Sequence, residues 1–233
     1  MRTQGPAALA AEHGLSSVQA TAFGRLLAAL AAEPDPPTTI RAPRDALGGH
    51  VADSLAGLAV PELRRASSIA DMGSGAGFPG LALAIALPAT RVDLIEASAR
   101  KCAVIDRLIA AAGLSNARPL SQRVEGVGAG DGAGAYAAAV ARAVAALPVL
   151  VEYAAPLLTA GGVLVAWKGR RDAHEERAGV RACAVVGLEP SRVLAVTPFA
   201  GAHSRHLHVF TKTRDTPARF PRRPGMAAKR PLA

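Results

Sequence analysis

Aromatic side chains are scarce in this chain, at 3% of 233 residues, although hydrophobic residues make up 50%. Its core must therefore be built from Ala, Leu and Val, and Phe78, Trp167 and Phe199 are the few candidates for stacking on a flat ligand. Cysteine occurs twice, as Cys102 and Cys183. Two isolated cysteines exclude a disulfide framework, and neither has a histidine at ligand spacing, so no metal site is expected. No uninterrupted apolar run approaches the roughly 20 residues of a membrane span. The opening Met1-Arg-Thr-Gln-Gly-Pro leads into an alanine patch too short for the apolar part of an export signal. A soluble, cytoplasmic protein is expected, with one sizeable domain and an extension.

Acidic charge is also short. Asp and Glu number 18 against 27 Lys and Arg, a net charge of +9. From Thr213 to Ala233 the basic residues are Arg214, Arg219, Arg222, Arg223, Lys229 and Arg230, with Asp215 as the one acid. So +5 of the +9 sits in the last 21 residues, among Pro217, Pro221, Pro224 and Pro231. A basic, proline-rich tail of this kind suits a phosphate backbone, where each neutralised phosphate releases counterions.

Glycine is what the chain has in the right place. Ile69-Ala-Asp-Met-Gly-Ser-Gly-Ala-Gly-Phe-Pro-Gly80 reads as a buried strand, a tight turn and a helix start. Glycines let a backbone approach a ligand, and helix-start amides donate to it. Gly75-x-Gly77-x-x-Gly80 also satisfies the dinucleotide fingerprint, and Arg91-Val-Asp-Leu-Ile-Glu96 ends in a carboxylate placed for a ribose diol. NAD and S-adenosylmethionine both carry that ribose. Asp71 favours the second, because an anion at the strand end helps a cationic ligand and not a phosphate.

The first sixty residues read as helical and separate from the sheet. One helix runs from Ser16 or Ser17 to about Ala32, with Val18, Ala22, Leu26 and Leu30 at four-residue spacing and Phe23 and Leu27 beside them. A second, near Arg44 to Leu58, stacks Leu47, Val51, Leu55 and Leu58, with His50 and Asp53 on a neighbouring face. His50 alone there reads as a hydrogen-bonded surface or cap residue. From Ser67 onward strands (68–72, 91–96, 117–121, 138–142, 162–167, 191–197, 206–212) alternate with helices (79–87, 99–112, 146–159, 172–186). That order predicts a parallel sheet covered on both faces. Residues 126–134, rich in glycine, read as a flexible loop. The expected divisions are a helical extension at 1–65, a Rossmann-like domain at 66–212 and a basic tail at 213–233.

Ligands sit at the carboxyl ends of such strands. The residues there are Asp71, Glu96, the Ser121–Glu125 loop, Arg142 and Lys168. Arg123-Val-Glu125 has the position for an adenine, while Arg142 and Lys168 are cations where a substrate would approach.

The chain resembles the ribosomal small subunit methyltransferase G family. The resemblance is carried by His50-Val-Ala-Asp-Ser-Leu55, Asp71-Met-Gly-Ser-Gly-Ala-Gly-Phe-Pro-Gly-Leu81, Glu96 with Lys101, Arg123-Val-Glu125, Arg142-Ala143, Trp167-Lys-Gly169 and the basic tail. It implies a Rossmann-like, class I S-adenosylmethionine-dependent methyltransferase, acting on N7 of a guanine in the 530 loop of 16S ribosomal RNA within the 30S subunit, as a monomer. Cofactor contacts are implied at Gly73, Phe78, Val124, Glu125 and Arg142, beside the Asp71, Gly75 and Glu96 read from the motif. No residue is implied as a general base, since N7 carries a free lone pair. Arg142 and Lys168 are placed for RNA phosphates or the guanine O6 edge. The chain departs from the family at Thr38-Thr-Ile-Arg41, where an Asn-Leu-Thr element is usual, and in the 126–134 stretch. Alternatives that stay open are a nicotinamide dehydrogenase on the same turn, a different RNA target, and a non-catalytic RNA-binding protein.

Overall fold

The computed structural model describes residues 5–232. Residues 1–4, the start of the segment considered as an export signal, lie outside them, and so does Ala233. Among the described residues no helix is long and apolar enough to cross a membrane.

The apolar runs form one seven-stranded sheet of order β3-β2-β1-β4-β5-β7-β6. Its strands are β1 (Ser68–Met72), β2 (Arg91–Ile95), β3 (Ala117–Leu120), β4 (Tyr136–Arg142), β5 (Leu158–Lys168), β6 (Leu188–Val196) and β7 (Arg205–Lys212). The helices, in chain order, start with α1 (Pro6–Glu12), α2 (Ser17–Ala32), α3 (Pro43–Ala46), α4 (Asp53–Leu55) and α5 (Pro61–Arg64). Then come α6 (Gly80–Ala86), α7 (Ala99–Ala112), α8 (Val124–Gly128), α9 (Leu147–Leu157), α10 (Ala173–Val186) and α11 (Met226–Lys229). The sheet is not wholly parallel. β7 runs antiparallel to both β5 and β6, because a short loop and no crossover helix joins β6 to β7.

Side chains alternate across the strands, so the sheet splits the core in two. Ile69, Val92, Leu94, Val140 and Val165 pack with Phe23, Leu26, Leu30, Leu55, Leu81, Ile105 and Leu108 on one side. Ala70, Met72, Ala139, Leu164 and Phe210 pack with Leu150, Val151, Cys183 and Phe220 on the other. The N-terminal helices are therefore part of the sheet's own core and not a separate body. Ser16 caps α2 in a reciprocal box: its hydroxyl accepts from the Gln19 N–H at 3.3 Å, and Gln19 Oε1 accepts from the Ser16 N–H at 2.8 Å. Gln19 also donates to the Ile85 and Ala86 carbonyls, tying α2 to the end of α6. Val18, predicted on the apolar stripe, is 76% exposed.

The expected helix over 44–58 is real but broken into α3, a π-turn (Leu47–Ala52), α4 and a 3-10 turn (Ala56–Ala59). Leu47, Val51, Leu55 and Leu58 are buried as predicted. The stretch 126–134 is not a loose linker. Its start belongs to α8, and the Gly134 N–H donates to the Pro156 carbonyl at 2.9 Å.

Candidate active site

The turn after β1 needs positive φ at Gly73 (+69°), Gly75 (+59°) and Gly77 (+91°), a region L side chains rarely adopt. Gly73 and Ser74 donate to the Ile95 carbonyl at 2.8 and 3.1 Å, locking the turn to the end of β2. Glu96 continues that lock. Its carboxylate accepts from the Gly75 N–H at 3.1 Å and from the Ser98 N–H at 2.9 Å, leaving each oxygen a free lone pair at the strand ends.

Asp71 sits beneath the turn, fully buried, rather than on its ligand-facing rim. Its Oδ2 accepts from the Gly80 N–H, the first residue of α6, at 2.9 Å, and Oδ1 has no hydrogen-bond partner. Burial pushes its pKa up to about 6, against the lowering effect of the Gly80 hydrogen bond. The carboxylate that the sequence suggests for direct contact with a cation is therefore a staple between β1 and α6 with one oxygen unspent. A Cβ at Gly75 would meet nothing nearer than the Gly73 carbonyl at 4.0 Å, so the outer side of the turn is open to a ligand.

On the β4 side, Arg142 turns back toward the broken helix. It donates to Asp53 Oδ2 at 2.8 Å and to the Gly49 carbonyl at 3.0 Å, and its Nη2 lies 3.2 Å from His50 Nδ1. Since guanidinium can only donate, His50 Nδ1 must accept, and Nε2 carries the proton toward Thr38 Oγ1 at 3.0 Å. The His50 ring stacks on Phe78 with centroids 4.6 Å apart, and the Arg142 guanidinium lies 6.0 Å from the Phe78 ring centre. Burial, helped by Arg142, pushes the His50 pKa down to about 4. His50 is thus a buried, neutral part of the site and not the surface residue its helical position suggests. Only its partner on β4, distant in sequence, shows this.

Gly49, His50, Asp53 and Arg142 wall a cleft of about 560 Å³ at the ends of β4 and β5, lined further by Val144, Trp167, Lys168 and Arg205. Val144 packs on the turn: a Cβ at Gly73 would lie 3.0 Å from it. The turn and the cleft therefore share a wall at the point where the strand order reverses around β1 and β4. Of the residues singled out from sequence, Arg142 and Lys168 line the cleft, Gly73 backs on it through Val144 and Phe78 through His50, while Glu96, Val124 and Glu125 lie on the β2–β3 side of the turn. Neither cation is bare. Lys168 pairs with Glu175 at 2.6 Å, as Arg142 does with Asp53, because a half-buried cation needs a counter-charge. Trp167 is no free platform either, for its indole N–H donates to the Asp53 carbonyl at 2.8 Å.

The family of rRNA small subunit methyltransferase G matches residues 36–207. The chain belongs to this family. It is 47% identical to the ribosomal RNA small subunit methyltransferase G of Rubrobacter xylanophilus over 82% of this chain and 75% of that one. To the protein of the same name from Deinococcus radiodurans it is 41% identical, over 90% and 84% of the two chains. The fold is that of class I methyltransferases. An S-adenosylmethionine-dependent O-methyltransferase from Thermotoga maritima superposes with a TM-score of 0.55 at 14% identity, over 70% of this chain and 64% of that one. The 1,6-didemethyltoxoflavin-N1-methyltransferase of Burkholderia thailandensis, solved with S-adenosylhomocysteine, gives 0.54 at 15% identity over 73% and 82%. Membership removes the dehydrogenase alternative.

In this chain the basic tail is folded onto the domain. Phe220 and Ala227 are buried, and Thr216 Oγ1 lies 3.1 Å from the Ala155 carbonyl and 3.0 Å from that of Val186. Arg222 pairs with Glu152 through Nε at 2.7 Å, and the Gly225 N–H donates to Glu125 Oε1 at 2.7 Å. Glu125, implied by resemblance as a cofactor contact, thus spends one oxygen on the tail, and Val124 beside it is buried. Arg214, Arg219, Arg223, Lys229 and Arg230 remain exposed, so the tail's outer side is still basic.

The two perturbed groups act oppositely on stability. Between pH 6.5 and about 4, protonation of His50 is confined to the unfolded chain, so stability falls as pH drops through that window. Asp71, raised from 3.8 to about 6, adds stability as pH falls from about 6 to 3.8. Replacing His50 by Asn is expected to make the acid-side loss of unfolding free energy shallower, by at most about 1.4 kcal/mol per pH unit. Denaturant melts across that range read it, and profiles parallel to wild type would refute it.

Proposed function

We propose that this chain transfers a methyl group from S-adenosylmethionine to N7 of a guanine in the 530 loop of 16S ribosomal RNA, within the small subunit and in the cytoplasm. The observation that carries this reading is the wall shared at Val144 by the open glycine turn and the cation-bearing cleft. A donor held on the turn and a base held in the cleft would meet there. The open space at Gly75 and the spare lone pairs of Glu96 fit the donor's nucleoside, and the unspent Asp71 oxygen adds negative charge beneath its cationic end. When bound, the donor supplies an electrophilic methyl group on a sulfonium.

The chain's part is positioning, which alone can supply a large share of a bimolecular barrier. Guanine N7 has an in-plane lone pair, so no proton need leave before it attacks. The site matches this. His50 holds its Nδ1 lone pair against Arg142 and its Nε2 proton against Thr38, so it is not arranged as a base. The target must be unstacked to reach such a cleft, since A-form RNA hides N7 in a deep, narrow groove.

The test is methyl transfer from labelled donor to small subunits lacking N7 methylation, mapped by cleavage at N7-methylguanine. One modified position in the 530 loop is expected. Incorporation at another atom or another RNA would overturn the reading, as would no incorporation by protein shown to bind S-adenosylhomocysteine.

A further inference from the structure

Among the described residues lining the cleft, Asp53 is the one carboxylate. Its Oδ2 is taken by Arg142, but its Oδ1 is buried without a hydrogen-bond partner. Arg205 Nε stands 3.6 Å from Oδ1, too far for a hydrogen bond. The residue is rigidly placed, with its own carbonyl held by Trp167 Nε1 at 2.8 Å. Buried acceptors are rarely left without donors, and an unmet one in a cleft wall points to a ligand that brings a donor.

We propose that Asp53 reads the Watson–Crick edge of the target base and so selects guanine. This rests on the guanine-N7 assignment and adds the residue that enforces it. A carboxylate in the cleft repels phosphate, so its partner must be a donor-bearing edge. Guanine presents two neighbouring donors, N1–H and the 2-amino group. Adenine and cytosine place a ring acceptor beside their amino group, and uracil flanks its single N–H with two carbonyls, all of which face a carboxylate with lone pairs. Asp53 accepts one guanine donor on the vacant Oδ1 and the other on the second lone pair of Oδ2. Guanine N7 lies on the opposite edge of the purine. A base pinned at Asp53 therefore turns N7 away from it, across the cleft whose other wall, at Val144, backs on the glycine turn. The half-exposed Arg205 must swing off its long contact to admit the base, and it gives up no hydrogen bond in doing so.

The experiment compares small subunits reconstituted with 16S RNA carrying either guanine or inosine at the target position. Inosine keeps N7 and N1–H and lacks the 2-amino group. For the wild-type protein, kcat/KM is expected to fall about tenfold or more on inosine. For Asp53→Ala the rate on guanine falls, and the guanine-to-inosine ratio collapses toward one. That ratio is internal to each protein, so a general loss of activity does not mimic it. Equal wild-type rates on the two bases would overturn the proposal without any variant, leaving N7 transfer intact. A wild-type preference that Asp53→Ala retains would assign the reading to another group and overturn it too. Failure of the wild type to modify N7 of the guanine substrate would instead overturn the proposed function, and this inference with it.

Discussion

Arg222→Ala is expected to destabilise the protein by about 3–5 kcal/mol, because it strands the Glu152 carboxylate as an uncompensated buried charge. Glu152 is 2% exposed and receives both of its ion-pair contacts from Arg222. Truncation before Arg214 should do more. It also removes the buried Phe220, the Thr216 links to α9 and α10, and the Gly225 N–H that engages Glu125. For a chain of this size each kcal/mol is worth roughly 2–4 °C in melting temperature, so the single variant should melt about 10 °C lower. Thermal and denaturant unfolding without RNA provide the measurement. An Arg222→Ala protein within about 1 kcal/mol of wild type, below the range for a broken buried pair, would show that the tail is a loosely attached RNA arm. Salt-dependence assays on a truncated chain would otherwise confuse lost folding with lost phosphate contacts. The exposed Arg219, Arg223 and Lys229 are the positions at which to neutralise charge instead.

Gly80→Ala should be damaging even though Ala is the better helix former by about 1 kcal/mol and no positive φ demands glycine there. A Cβ there would lie 2.6 Å from Asp71 Oδ2 and 2.9 Å from Leu94 Cδ2. Something must move, and the candidates are the buried carboxylate, the packed β2 side chain or α6 itself. Overpacking of this sort costs typically about 1–3 kcal/mol. Moving Asp71 also loosens the staple that sets the turn, so affinity for S-adenosylhomocysteine should fall by roughly tenfold or more, about 1.4 kcal/mol of binding. Gly75→Ala makes the useful contrast. Its Cβ meets open space, at a φ of +59° that strains any L residue, so it should disturb the ligand side of the turn more than the core. Melting each variant with and without S-adenosylhomocysteine separates the two effects. A Gly80→Ala protein that matches wild type in both would show that α6 yields easily and that the Asp71 staple is unimportant.

The parts of this molecule legible in the sequence are those with a local physical cause. Strand β1, the glycine turn and α7 fell at the expected places: β1 is buried at every position, the turn takes the positive φ of glycine, and the Ser98 hydroxyl caps α7 by accepting from the Lys101 N–H. The pairing of β7 between β5 and β6 was not legible, since an antiparallel return and a crossover differ only in where a short loop leads. The same holds for the site. The turn and Glu96 could be placed from strand ends. His50 and Asp53 could not, because their meaning comes from Arg142, some ninety positions later in the chain.

Local sequence thus determined the donor-side architecture: a strand, a turn that only glycine tolerates, and a helix start. Tertiary structure decided which charges are free. Arg142, Lys168 and Arg222 look alike as cations in the sequence, yet each found a carboxylate, Asp53, Glu175 and Glu152 in turn. The reason is desolvation. A partly buried charge must be paired, and which partner is within 3 Å depends on how distant segments pack, a quantity no spacing along the chain encodes.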